Sequence, residues 1–363
     1  MNILDAYIKD AIKLREAEEA NLSQLKARVI KAVQELENTD ENGRVLTSFF
    51  NAINKHDIVS KLHENLDGRF NEKFVAQMKE IIFQALSSFN QDSVKQFLED
   101  FNNDALIDIS KLLSPRSTLS DCFSSPAAFT AFKALIPVGR RWKNKGPGEF
   151  ALAALSKQIS LRDAGGDLDI AGQNVEVKVN TSGGGGRMGS NATATNQSQN
   201  GIIQSFNEKY GEIIPKVNSI TLKPFVKMLD TKLPVGKTTL VRNEVNQTDD
   251  KYNNNALRKE ISTALIGNIF GAEIGKNIGY MIARGVDIGT ISAEYISGNF
   301  KWYQHEEQFA SILMLDLAAD VAYNIKDAAA FKRILPYIKG GTPAIVPTGA
   351  NPTETFFQLT AKA

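Results

Sequence analysis

Four charged residues alternate with apolar ones in two short runs, Asp167-Leu168-Asp169-Ile170 and Val175-Glu176-Val177-Lys178-Val179. A period of two sends every second side chain to one face of a strand. Asp167, Asp169, Glu176 and Lys178 would then share a face, and the leucine, isoleucine and valines would share the other. Ala171-Gly172-Gln173-Asn174 between the runs reads as the turn of a hairpin. With the turn centred on Gly172 and Gln173, Ile170 pairs with Val175, Asp169 with Glu176, Leu168 with Val177 and Asp167 with Lys178. Two or three carboxylates converging at a sheet end make a hard-oxygen site for Mg2+ or Mn2+; magnesium takes few protein carboxylates and keeps waters for a substrate phosphate. A cation held there polarises a phosphate and lowers the pKa of a bound water. A lysine beside it would orient that water and offset developing negative charge. These are the minimum parts for phosphodiester hydrolysis. The plain alternative is a solvent-exposed hairpin whose opposite charges stabilise it by roughly 0.2–1 kcal/mol per pair.

Around the hairpin, the densest basic cluster is Arg140, Arg141, Lys143 and Lys145, with Trp142 among them. Such residues can neutralise phosphates and stack on bases; a solvated linker is the competing reading. Gly183 to Gly186 followed by Arg187 could let the backbone approach a phosphate chain closely, because glycine has no side chain in the way. A plain flexible loop is the alternative there, and the polar stretch 191–200 belongs to the same loop. Thr231-Lys-Leu-Pro-Val-Gly236-Lys237-Thr238 ends like a phosphate-binding loop but lacks its first glycine, so it carries no assignment.

The positioning elements follow from periodicity. Gly146-Pro147-Gly148-Glu149 reads as a turn opening a helix with Phe150, Ala154 and Leu155 on its apolar face. Residues 1–115 show helical spacing (Ile8 and Ile12; Leu25, Val29, Val33 and Leu36; Phe74, Met78, Ile81, Ile82 and Leu86), broken at Ser114-Pro115. Past the loop come a short helix over 202–210, a strand around 220–228, a helical region from 255 to 339, and an irregular tail holding Pro343, Pro347 and Pro352.

The chain has 363 residues, 42 basic and 41 acidic, so its net charge of +1 does not advertise nucleic-acid binding and any such surface must be local. A single cysteine, Cys122, excludes an internal disulfide framework and suits a reducing compartment. Charged residues interrupt the N-terminal apolar residues, no window reaches a membrane span, and a cytoplasmic protein is expected.

The quoted hairpin, with Gly166 before Asp167 and with Gly148-Glu149 at a preceding helix start, resembles the PD-(D/E)XK nuclease superfamily, although no proline precedes either aspartate. The resemblance covers about 140–230. It implies an α+β fold in which a small mixed β-sheet core of restriction-endonuclease-like type, residues 116–230, lies between a helical N-terminal region, 1–115, and a mostly helical C-terminal region, 231–363. It further implies that Asp167 or Asp169 joins Glu176 in binding metal, that Lys178 is catalytic, and that Glu149 is a helix-borne ligand or support. An acidic residue in a first helical turn is also favourable to the dipole on its own. The implied activity is metal-dependent hydrolysis of DNA by an endonuclease, with a homodimer as one way of cutting both strands. A narrower likeness to bacteriophage-encoded nucleases would place it in host cytoplasm. The competing class is a non-catalytic nuclease-like binding protein or a phage structural or assembly component that docks a partner through its helical flanks.

Overall fold

The computed structural model describes residues 58–139, 146–163, 165–181, 186–188, 194–195, 197–217, 220–236, 250–339, 344–346 and 357–361. The expected helices before residue 58 lie outside the described residues, as do Arg140, Arg141, Trp142, Lys143 and Lys145.

The architecture is mixed α+β. Helices α1 (Ile58–Asn65), α2 (Glu72–Leu86), α3 (Gln91–Asn102) and α4 (Ile109–Leu112) precede strand β1 (Ser117–Thr118), and α5 (Pro126–Gly139) and α6 (Pro147–Leu155) follow. The hairpin region supplies β2 (Ile159–Leu161), β3 (Leu168–Ile170) and β4 (Gln173–Asn180), then β5 (Gly186–Met188). Next come α7 (Gln199–Tyr210), β6 (Ile220–Thr221), α8 (Leu222–Lys232), α9 (Asp250–Phe270), α10 (Ala272–Ala283) and α11 (Ile288–Glu307). The chain closes with β7 (Ser311–Asp316), β8 (Val321–Ile325), α12 (Ala328–Ile334), β9 (Ile338–Lys339), β10 (Ala344–Val346) and β11 (Phe357–Ala361). Asn71, Asn90, Ser198 and Asp287 cap α2, α3, α7 and α11 by accepting a backbone N–H at each helix start. Among the described residues no helix is long and apolar enough to cross a membrane.

The main sheet has the order β1-β8-β7-β4-β3-β2, antiparallel throughout except that β4 and β7 run parallel. A parallel pair needs a crossover, and here it spans 181–310 and contains five helices among the described residues. Each face of the sheet is covered. Val175, Val177, Leu313 and Leu315 pack toward α1–α6 in one core, while Ile312, Met314, Tyr323 and Ile325 pack against Ile296, Phe300 and Tyr303 of α11 in another. A third core joins α7–α10 to the start of α11.

Four expectations are corrected. The hairpin turn is tighter than the sequence suggested: Ile170 pairs with Gln173, Asp169 with Asn174 and Leu168 with Val175. Ala171 and Gly172 both have positive φ, 50° and 81°, the two-residue geometry whose twist matches that of the flanking strands. The strand expected around 220–228 is only two residues long before α8 begins; Leu222, Phe225, Val226 and Leu229 are buried at helical spacing, and Pro224 falls in the first turn, where its missing N–H is harmless. A core ending at 230 omits β7 and β8, the sheet strands that follow the crossover. Both are buried along their whole length, so they show no alternation and do not announce themselves as strands. The tail, finally, is not wholly irregular: β11 pairs with β5 and β9, and β10 with β6.

Candidate active site

Three elements converge on β4. The start of α6 rests directly on it: a Cβ added to Gly148 would collide with Val179 Cγ2, so only glycine lets the helix come this close. Glu149, the next residue, is thereby held near β4 and is 5% exposed. From the other side, α11 lays Tyr303 over the charged face of β4, where Glu176 is 6% exposed. The charges therefore do not decorate a solvent-exposed hairpin.

The corrected register gives the two aspartates different surroundings. Asp169 is spent on the turn, its Oδ1 accepting the Gly172 N–H at 2.8 Å and its Oδ2 standing 3.7 Å from Arg162 Nη1. Extending the ladder by one pair brings Asp167 beside Glu176. There Asp167 Oδ2 accepts the Val177 N–H at 2.8 Å, and the Asp167 N–H donates to the Val175 carbonyl at 3.0 Å. Lys178 Nζ donates to Glu176 Oε1 at 2.5 Å and lies 5.4 Å from the centre of the Tyr303 ring. Tyr303 Oη donates to the same Glu176 oxygen. Glu149 Oε2 is buried with no hydrogen-bond partner.

The electrostatics follow from crowding acids in a dry place. Burial, then the neighbouring Asp167 and Glu176 carboxylates, push the Glu149 carboxyl up to about 8 against the pull of the Gly146 amide. Burial and Glu176 push Asp167 up to about 6, against Lys178 and the Val177 amide. Burial would lower Lys178, but Glu176, Tyr303 and Asp167 outweigh it and hold the ammonium charged well above its ordinary range. The Tyr303 phenol is raised by burial and by Glu176, and stays protonated.

No family model, curated protein or solved structure matches this chain.

The geometry brings together Glu149, Asp167, Glu176 and Lys178, and sets Asp169 aside. Arg187 lies on β5, which pairs with β11. Tyr303 is the site residue the sequence did not disclose. Among the described residues no group of three or more His, Cys, Asp or Glu side chains is placed so that it could hold a metal ion. Magnesium asks for less, since one or two carboxylates suffice when waters and substrate phosphates complete the shell. Asp167 and Glu176 are carboxylates of that kind, and the unpartnered Glu149 Oε2 beside them is a buried acceptor that a hard cation or its water would satisfy. The donor set fits such an ion.

Proposed function

We propose that this chain is a Mg2+- or Mn2+-dependent nuclease of the PD-(D/E)XK type that hydrolyses phosphodiester bonds in DNA, acting as an endonuclease. The observation that carries this reading is that Glu149, Asp167 and Glu176 are buried close enough to act on one another's charge, beside Lys178, with one Glu149 oxygen left unpaired. Burial and, after it, mutual repulsion push the Glu149 and Asp167 carboxyls up. A pocket of this kind accepts positive charge.

Asp167 and Glu176 would hold the cation, with Glu149 supporting it or a water bound to it. Such an ion supplies Lewis acidity toward the phosphate and a water acidic enough to attack at neutral pH. The chain's own residues do the rest. Asp167 is fixed by the Val177 amide and by its contact with Glu176. Lys178 remains charged and offers its remaining N–H donors to phosphate oxygens, offsetting the negative charge that grows as the P–O bond breaks. Tyr303 fixes Glu176 from above and limits where the Lys178 ammonium can go.

Incubating the protein with supercoiled plasmid and with a branched duplex, with and without Mg2+ or Mn2+, tests this directly. Metal-dependent cutting should vanish in Glu176→Ala and Lys178→Ala. The competing reading has an observation of its own, that Glu176 is already satisfied by Lys178 and Tyr303 without a cation. If wild type and both variants are folded and equally inert, that trio is a clamp holding α11 on the sheet, and the chain belongs to the binding or assembly class.

A further inference from the structure

Away from the pocket, the exposed side of the α9–α10 pair gathers cations around one ring. Tyr280 on α10 is 49% exposed. Arg284, one turn later, has its guanidinium carbon 5.0 Å from the ring centre and donates from Nη1 to Tyr280 Oη at 2.6 Å. Lys259 of α9 holds Nζ 5.9 Å from the same centre. Close backbone packing brings them together: a Cβ on Gly279 would stand 3.0 Å from the Lys259 carbonyl oxygen. Lys276, one turn before Tyr280, is exposed on the same stripe of α10.

Most acids near these cations in sequence are occupied elsewhere. Glu260 pairs with Lys209, Asp230 with Arg258, and Asp287 caps α11. Glu273, in the first turn of α10, is exposed three residues before Lys276 and is the one acid at the start of the stripe among the described residues. Among the described residues no carboxylate is paired with Lys259, Lys276 or Arg284. Lysine and arginine carry donors only, and Tyr280 Oη accepts from Arg284. From Lys276 to Arg284, with Lys259 beside them, the charged groups are cations, so the complement of this part of the face is negative and rich in acceptors.

We propose that this face binds the phosphate backbone of a nucleic-acid strand outside the catalytic pocket. Lys276 to Arg284 spans about 12 Å along the helix axis, and a strand places a phosphate every ~3.4 Å of its axis, so the stripe follows several consecutive phosphates. The flat Tyr280 and Arg284 groups add surfaces on which a base can lie. An anionic bilayer would call for apolar side chains flanking the cations, and Tyr280 is the one large exposed apolar group on this stripe among the described residues. The choice of nucleic acid rests on the nuclease reading, whose substrate this face would hold.

The test uses the full chain in chelator, where no cleavage intervenes. Fluorescence anisotropy of a short labelled DNA strand, single and then annealed, is measured over a salt series. The variants are the triple Lys259→Ala/Lys276→Ala/Arg284→Ala, Tyr280→Ala, and Lys95→Ala on α3 as a distant control. The triple variant should bind at least tenfold more weakly and lower the slope of log K against log salt by about 2, because each phosphate that a cation neutralises accounts for roughly 0.7–0.9 of that slope. Tyr280→Ala should weaken binding with little change of slope, whereas Lys95→Ala binds as wild type. All these side chains are exposed, and unchanged circular dichroism and Tm would establish that each variant is folded. Wild-type affinity and slope in a folded triple variant overturn the proposal. So does a wild type that ignores DNA but loses binding to polyglutamate or to phosphatidylserine vesicles when the cations are removed. Failure to cleave with Mg2+ while this binding pattern holds would sink the nuclease reading alone.

Discussion

Tyr303 joins the buried ion pair through a single hydroxyl, which makes its role separable from its bulk. Tyr303→Phe keeps the ring under Lys178 and removes only the donor to Glu176. Hydrogen bonds to charged groups contribute about 1.5–3 kcal/mol, so Tm should fall modestly, and metal-dependent cleavage should fall further than that loss of stability explains. A variant with wild-type cleavage would leave the hydroxyl no part in positioning Glu176. The two shifted acids give a pH signature. Without a cation, burial and the neighbouring carboxylates push Glu149 up to about 8 and Asp167 up to about 6, from their ordinary 4.5 and 3.8. The folded state therefore binds more protons than the unfolded chain between those limits, and the contribution of these groups to stability falls as pH rises from about 4 to about 8. Tm measured in chelator should show that fall, Glu149→Gln should lose much of it, and Mg2+ should flatten it; a Tm in chelator that Glu149→Gln leaves unchanged across the range would contradict the assignment. Glu176, Lys178 and the neighbouring acids were legible because a strand repeats every two residues and so writes its face locally. Tyr303 was not, being 127 residues from Glu176 and looking, in an amphipathic helix, like any core aromatic.

Between residues and the molecule stand the helix start and the tight turn. Gly148→Ala should push α6 away from β4, because the new methyl would fall on Val179. Overpacking of that kind costs about 1–3 kcal/mol. Glu149 would move with the helix, so cleavage should drop out of proportion to the loss measured by urea unfolding; unchanged values of both would show that the contact is not tight. The sequence disclosed α6 through its Gly-Pro-Gly start and the β3–β4 hairpin through alternation. It did not disclose the register, since Ala171-Gly172 lacks the Asn-Gly or Asp-Gly signature of a two-residue turn. That gap left Asp167 and Asp169 unresolved. The buried strands β7 and β8 were hidden for the opposite reason: with helices on both faces, neither strand had an exposed side to mark its period.

The sheet is closed by strands from both sides of a long crossover. A fragment ending at residue 230 retains Glu149, Asp167, Glu176 and Lys178 but lacks β7, which pairs with β4 from Val175 to Asn180, and lacks the helix bearing Tyr303. It should expose the unpaired edge of β4 and fail to fold. A soluble fragment with cooperative thermal unfolding would mean that the N-terminal part of the core stands without its parallel partner. The α+β class and the place of the charged hairpin could be read along the sequence, whereas the extent of the core could not, because its sheet neighbours are distant in the chain.

The parallel pairing of β4 with β7 also sets an order of events during synthesis. Ribosomes add roughly 5–20 residues per second, so the 127 residues from Glu176 to Tyr303 take about 6–25 s. Through that interval the acidic hairpin exists without its covering helix or its parallel neighbour, and the pocket is not yet assembled. A growing chain, or one whose translation stops early, would carry the acids and the lysine but no finished site. Whatever this pocket does would arrive late and all at once, when the last part of the sheet emerges.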